Sequence, residues 1–144
     1  MILTGKQIQK EIDLNNITVI PFDTSMVNPN SINYKIGGII KKFVKIENGK
    51  NVFESIILPE SGLLLEPHIC YIGNTLETIG SVKYAMSLIG RSSLGRLGLF
   101  LQISANLGHT GCCHQWTLEI VATKPIIIYP NMKIGQVSFW TNKG

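Results

Sequence analysis

The chain has 144 residues, 44% hydrophobic and 15% charged, a balance that supports one domain with a real core and excludes a disordered chain. A formal charge of +4 and a pI near 9.0 suit a polyanionic ligand, but the cations are scattered, so nucleotide phosphate fits better than a nucleic-acid track. No apolar run reaches membrane-span length, Met1 to Lys6 carry no secretory pattern, and three cysteines, two of them adjacent, make a poor disulfide framework. No nucleic-acid or membrane partner, a cytoplasmic location and free thiols are therefore expected.

Thr4 and Gln7 match a capping box, and Ile8 with Ile12 form an apolar stripe, which predicts a helix over 4–12. Asn15 and Asn16 end it. A strand over 17–22 follows, stopped by Asp23 and the turn Asn28-Pro29-Asn30-Ser31. Short strands are then predicted over 33–36, 38–44, 52–58, 63–65, 69–72 and 82–88, and, after a Gly/Ser/Arg stretch, over 99–103, 115–121, 126–129 and 135–140. This spacing predicts a single all-β domain over 1–144, a sandwich or barrel with one short N-terminal helix.

The only two arginines, Arg91 and Arg96, lie in Gly90-Arg91-Ser92-Ser93-Leu94-Gly95-Arg96-Leu97-Gly98, while the other cations are eleven lysines. A planar, bidentate guanidinium suits phosphate and carboxylate, and lysine does not reproduce it. A helical turn starting at Ser92 or Ser93 would aim free N–H groups at the same anion and place Ser92 and Arg96 on one side. Two readings stay open for these residues alone: an anion site, or a capped surface turn with solvated arginines.

In the predicted strand over 115–121, alternation puts Trp116, Leu118 and Ile120 on one face and Gln115, Thr117 and Glu119 on the other. Glu119 is thus a carboxylate in mid-strand. Functional use competes here with a solvated face or a cross-strand ion pair.

Taken in order, Gly90-Arg-Ser-Ser-Leu-Gly-Arg-Leu-Gly-Leu99, Thr117-Leu-Glu119 and Met132-Lys-Ile-Gly-Gln136 resemble the dCTP deaminase branch of the trimeric dUTPase superfamily. Met1-Ile-Leu-Thr, Ile20-Pro-Phe22 and Pro29-Asn-Ser31-Ile-Asn-Tyr-Lys-Ile-Gly37 resemble the opening of that branch, so the likeness covers nearly the whole chain. It implies a distorted jelly-roll (dUTPase-like) β-sandwich, a homotrimer with nucleotide sites between subunits, and deamination of a pyrimidine deoxynucleotide, dCTP to dUTP plus ammonia, without zinc.

By the same resemblance Glu119 is the general base, with a pKa raised by burial; Ser92 helps hold the attacking water, and Arg96 orients Glu119. Arg91 and Ser93 form the phosphate cradle, Gln136 also reaches the triphosphate, and Ala105 and Asn106 lie at the base-binding turn. Mg2+ is implied only as the counter-ion of the nucleotide phosphates. No metal is expected on the protein: His-x-Glu and Pro-Cys-x-x-Cys are absent, and His109, Cys112, Cys113 and His114 lack ligand spacing.

The chain departs from the branch in two places. His109-Thr-Gly-Cys112 stands where Asp-Pro-Gly-aromatic is usual, which argues against diphosphatase activity, leaves His109 for a sugar or other substituent, and removes the aromatic platform under the deoxyribose. The chain also stops at Gly144, soon after Trp140, where members continue into a tail over the triphosphate, so the expectation is a missing lid or one supplied by another segment. Kept beside the leading reading are a dUTP diphosphatase or bifunctional enzyme, a deaminase of a modified or lower-phosphate cytosine nucleotide, and a non-catalytic nucleotide-binding trimer.

Overall fold

The computed structural model describes residues 1–144. It begins with α1 (Gly5–Asp13), whose N-cap is Thr4: the Thr4 hydroxyl accepts from the Gln7 backbone N–H at 3.3 Å. The capping box is only half made, because the Gln7 side chain turns instead to Glu11 at 2.8 Å. Fourteen strands follow, with a short 3-10 turn at Thr24–Met26 and a one-turn helix α2 (Ser92–Gly95) between them. They are β1 (Ile17–Ile20), β2 (Ile32–Lys35), β3 (Ile39–Glu47), β4 (Lys50–Ile57), β5 (Leu63–Leu65), β6 (Tyr71–Asn74), β7 (Thr78–Ser81) and β8 (Tyr84–Gly90). After α2 come β9 (Leu99–Leu101), β10 (Leu107–Gly108), β11 (Cys113–His114), β12 (Thr117–Ala122), β13 (Ile126–Ile128) and β14 (Lys133–Thr141).

The strands form sheets ordered β4-β3-β6-β12-β9, β10-β8-β14-β2, β1-β7-β11 and β13-β5, with every named pairing antiparallel. This is the all-β, distorted jelly-roll architecture expected. One core of 26 buried apolar side chains lies between the sheets, with Tyr34, Tyr71 and Phe139 its largest members.

Several boundaries differ from expectation for local reasons. The predicted strands 38–44 and 52–58 extend into a hairpin, β3 and β4, because Asn48 and Gly49 take the left-handed conformations (φ 51° and 74°) that a tight two-residue turn needs. The predicted strand 69–72 starts two residues late: His68 sits at φ 66°, and the Tyr71 hydroxyl accepts the Glu66 backbone N–H. β7, β10 and β11 were not expected, since each is only two to four residues long and carries no alternating apolar run. The predicted strand 99–103 stops at Leu101, where Gln102 adopts φ 54°.

β14 ties the second sheet together, pairing β8 from Gly135 to Thr141 and β2 from Lys133 to Val137. Gly135 lies against the ring of Tyr34, whose hydroxyl donates to the Ile89 carbonyl at 2.8 Å. A Cβ on Gly135 would fall 2.2 Å from Tyr34 Cζ and 2.6 Å from the Ile89 carbonyl oxygen. The glycine beside Gln136 is therefore dictated by packing. Gly135→Ala is expected to lower unfolding free energy by about 2 kcal/mol or more, measured by urea titration; an unshifted midpoint would contradict this packing argument.

Candidate active site

Two shallow cavities carry the residues singled out from the sequence. The first, about 330 Å³, is lined by Arg91, Ser92, Gly95, Phe100 and Gln136 among others, at the end of β8, the start of α2 and the middle of β14. Arg91 occupies the N-cap position of α2 in an extended conformation, so the helical turn starts at Ser92, one of the two starts considered from the sequence. Neither serine hydroxyl caps it. Ser92 and Ser93 are exposed, and the Arg91 guanidinium is anchored by donating to the Lys133 carbonyl at 3.1 Å.

Gln136 is fixed rather than free. Its Oε1 accepts from the Ser31 hydroxyl at 2.8 Å, and its Nε2 donates to the Gly90 carbonyl at 3.2 Å. It thus clamps the entry to the Gly/Ser/Arg stretch, with one N–H still directed elsewhere.

The second cavity, about 280 Å³, is lined by Ile103, Ser104, Glu119 and Val121. The alternation read from the sequence holds: Leu118 and Ile120 are fully buried, and Glu119 faces outward. The burial expected around Glu119 is not present within one chain, because nothing packs over the outer face of β12 there. The two cavities adjoin through the β9–β12 pairing, in which Phe100 of the first is opposite Val121 of the second. Within one chain no single cavity holds both Glu119 and Arg91.

Ala105 and Asn106 lie in the exposed loop after β9; the Ala105 carbonyl accepts from Gln102 Nε2 at 3.2 Å, and Asn106 donates to the Ser87 hydroxyl at 3.0 Å. Arg96 and His109 are exposed, and neither side chain is tied to another residue. The thiols of Cys70, Cys112 and Cys113 are free. His114 stacks on Trp116 with ring centroids 4.1 Å apart, and no group of three or more His, Cys, Asp or Glu side chains converges as a metal site.

The two buried carboxylates are occupied structurally. Glu11 accepts from Gln7 and from Asn16 at 2.7 Å with the Lys83 ammonium at 3.9 Å, so although burial pushes its carboxyl up, Asn16, Tyr84, Gln7 and Lys83 together hold it below its ordinary value. Glu77 takes the Lys35 backbone N–H on both oxygens, at 2.8 and 3.3 Å, and burial holds it above its ordinary value against that hydrogen bond. Glu119 is the outward carboxylate that lines a cavity beside the arginine stretch. Gln102, bonded to both Glu119 and Ala105, is not singled out by sequence, since a lone Gln inside the predicted strand 99–103 carries no motif.

Comparison with known proteins gives the class. Residues 2–142 match the family described as dCTP deaminase-like, and the chain belongs to it. A relative from Clostridium beijerinckii named dCTP deaminase, dUMP-forming, is 42% identical over 142 residues, covering 96% of this chain and 82% of its own. One of the same name from Cytophaga hutchinsonii is 40% identical over 147 residues, covering 100% and 84%. The crystal structure of 2'-deoxycytidine 5'-triphosphate deaminase from Agrobacterium tumefaciens shares the fold, with a TM-score of 0.79 over 98% of this chain, at 21% identity; this chain spans 48% of that one.

The clamp gives a check that needs no substrate. Gln136→Ala leaves the Ser31 hydroxyl and the Gly90 carbonyl each one partner short, and is expected to cost about 1–2 kcal/mol of stability in urea unfolding. An unchanged midpoint would mean that the bridge does not hold the cradle.

Proposed function

We propose that the protein hydrolyses the 4-amino group of dCTP, giving dUTP and ammonia, with Glu119 as general base. The observation that carries this reading is the outward carboxylate of Glu119 in a cavity adjoining the Arg91–Ser92 cavity, in a chain of the dCTP deaminase-like family. Relatives at 40% and 42% identity that are named dCTP deaminase support the substrate.

In this mechanism Glu119 takes a proton from a water as its oxygen attacks C4 of the cytosine ring, then returns protons to the exocyclic nitrogen so that ammonia departs and the C4 carbonyl remains. Ser92 holds the water, Arg96 orients Glu119, and Arg91 with Ser93 takes the phosphates, for which the guanidinium fork is suited. Ala105 and Asn106 lie at the base and His109 near the sugar. Mg2+ accompanies the triphosphate as counter-ion. Zinc plays no part in this reading, whose support is the lack of the His-x-Glu and Pro-Cys-x-x-Cys motifs that zinc deaminases use.

The site is completed between copies in a homotrimer. This reading is supported by the separation of Glu119 and Arg91 into two cavities of one chain, and by exposed apolar residues flanking the second: Ile103 at 70% and Leu107 at 60% exposure. Closure by a neighbouring copy would supply the desolvation that raises a carboxylate pKa toward a useful value. A cytoplasmic location belongs to the same reading, supported by the three free cysteines.

A second reading is favoured by the relatives' names, which specify dUMP as product: hydrolysis of dUTP to dUMP and pyrophosphate would follow deamination. His109 weighs against it, since an imidazole stands where an aspartate would position the second water. Incubation with dCTP, dCMP, CTP and dUTP, with chromatography and ammonia detection, separates the two. Ammonia and dUTP from dCTP without pyrophosphate is expected; pyrophosphate release from dUTP would establish the second reading, and no ammonia from any cytosine nucleotide would end both. Glu119→Gln is expected to cut turnover at least about a hundredfold while keeping nucleotide binding, and comparable turnover would remove its role.

A further inference from the structure

Gln102 does two things that its neighbours in the chain do not. Its backbone sits at φ 54°, a left-handed conformation that a non-glycine residue holds only when its surroundings enforce it. Its side chain joins two parts of the candidate site: Oε1 accepts the Glu119 backbone N–H at 2.9 Å, and Nε2 donates to the Ala105 carbonyl at 3.2 Å.

The two facts have one cause. β9 and β12 run antiparallel with Leu101 opposite Ile120, so Gln102 falls opposite Glu119 at the next rung. Half of that rung is made in the ordinary way, the Gln102 backbone N–H donating to the Glu119 carbonyl at 3.3 Å. The left-handed turn swings the Gln102 carbonyl off the ladder, and the side-chain carbonyl takes its place as acceptor for Glu119 N–H. The ladder stays satisfied at Glu119 while the backbone is free to diverge. The diverging loop supplies Ile103 and Ser104 to the cavity and carries Ala105.

We infer that Gln102 is a positioning residue, whose amide sets the distance between the Glu119 strand and the Ala105 turn and so fixes the carboxylate relative to the ring it acts on. The inference rests on the reading of Glu119 as base. Its Oε1 accepts from the nitrogen one bond away from the Glu119 Cα, and its Nε2 donates to the Ala105 carbonyl, so a single side chain ties the strand of Glu119 to the loop that follows β9. Aspartate or asparagine would be a methylene too short to span them, and a hydrophobic residue would leave the Glu119 N–H without a partner.

The test uses the full chain with dCTP, reading kcat, KM and melting temperature for wild type, Gln102→Gly, Gln102→Asn and Glu119→Gln. Glycine relieves the left-handed strain and removes the bridge; asparagine tolerates the conformation and keeps the amide but not the reach. Both are expected to lose about ten- to a hundredfold in kcat, the scale of a small misplacement at a reacting centre, with KM within about twofold and the melting temperature lowered by no more than the few degrees that two lost hydrogen bonds cost. Wild-type kcat in either variant overturns the inference. So does a loss of kcat accompanied by a fall in melting temperature of more than about 5 °C, which would make Gln102 a residue of the fold alone. Glu119→Gln separates the two claims: if it is inactive while the Gln102 variants match wild type, only this inference fails, and if it turns over normally the reading of Glu119 fails with it.

Discussion

The two-residue period of β12 is the constraint on which the site depends. Leu118 and Ile120 are drawn wholly into the core, and the pleat then leaves Glu119 no direction but outward. A carboxylate that would be costly inside a sheet is thereby presented to a cavity at no cost to packing. The same strand is flanked by β6 and β9, so its backbone is held on both sides and the outward side chain springs from a rigid base. A chemical group needs that rigidity more than it needs any one contact.

The half proposed to bind the phosphates is built on different principles. Arg91, Ser92 and Ser93 sit at the mouth of a single helical turn too short to be stable alone, so their geometry comes from tertiary anchors. The Lys133 carbonyl holds the Arg91 guanidinium, and Gln136 holds Gly90. Both anchors belong to β14, whose register against β8 and β2 is locked by the contact of Gly135 with Tyr34. Core packing at one glycine is thus transmitted through Gln136 to Gly90 and the surface stretch that begins at Arg91. The cavities of Glu119 and Arg91 adjoin along the β9–β12 pairing, where Phe100 lies opposite Val121, and neither cavity holds both residues.

Much of this was legible in the residues. The alternation that turns Glu119 outward and the clustering of the only arginines are readable because each rests on local periodicity or local composition; the helical start is narrowed only to Ser92 or Ser93. Gln102 is not readable, because its role arises from a left-handed backbone angle and a strand register that no short stretch encodes. Burial around Glu119 was expected from its role and is not met within the chain, since exposure depends on what packs against it, not on its own strand. The Gln136 amide is engaged by Ser31 and Gly90, partners that lie 105 and 46 residues away and that no local pattern reveals. The tip of the hairpin of β3 and β4 is hard to read for the opposite reason: Asn48-Gly49 is a local signal, yet residues 45–47 and 50–51 beside it are mostly charged or polar and exposed, and so carry little pattern.

The central claim is that Glu119 of one copy and Arg91 of another act on one nucleotide. Co-refolding of Glu119→Gln with Arg91→Ala, assayed at a dCTP concentration where neither variant alone turns over appreciably, tests it most directly. Random assembly around a closed ring is expected to restore about a quarter of wild-type dCTP turnover, because that share of sites would draw both intact residues from different copies. Mixtures that stay as inactive as either variant, although they form the same assemblies as wild type, would contradict a shared site and place the whole chemistry within a single chain.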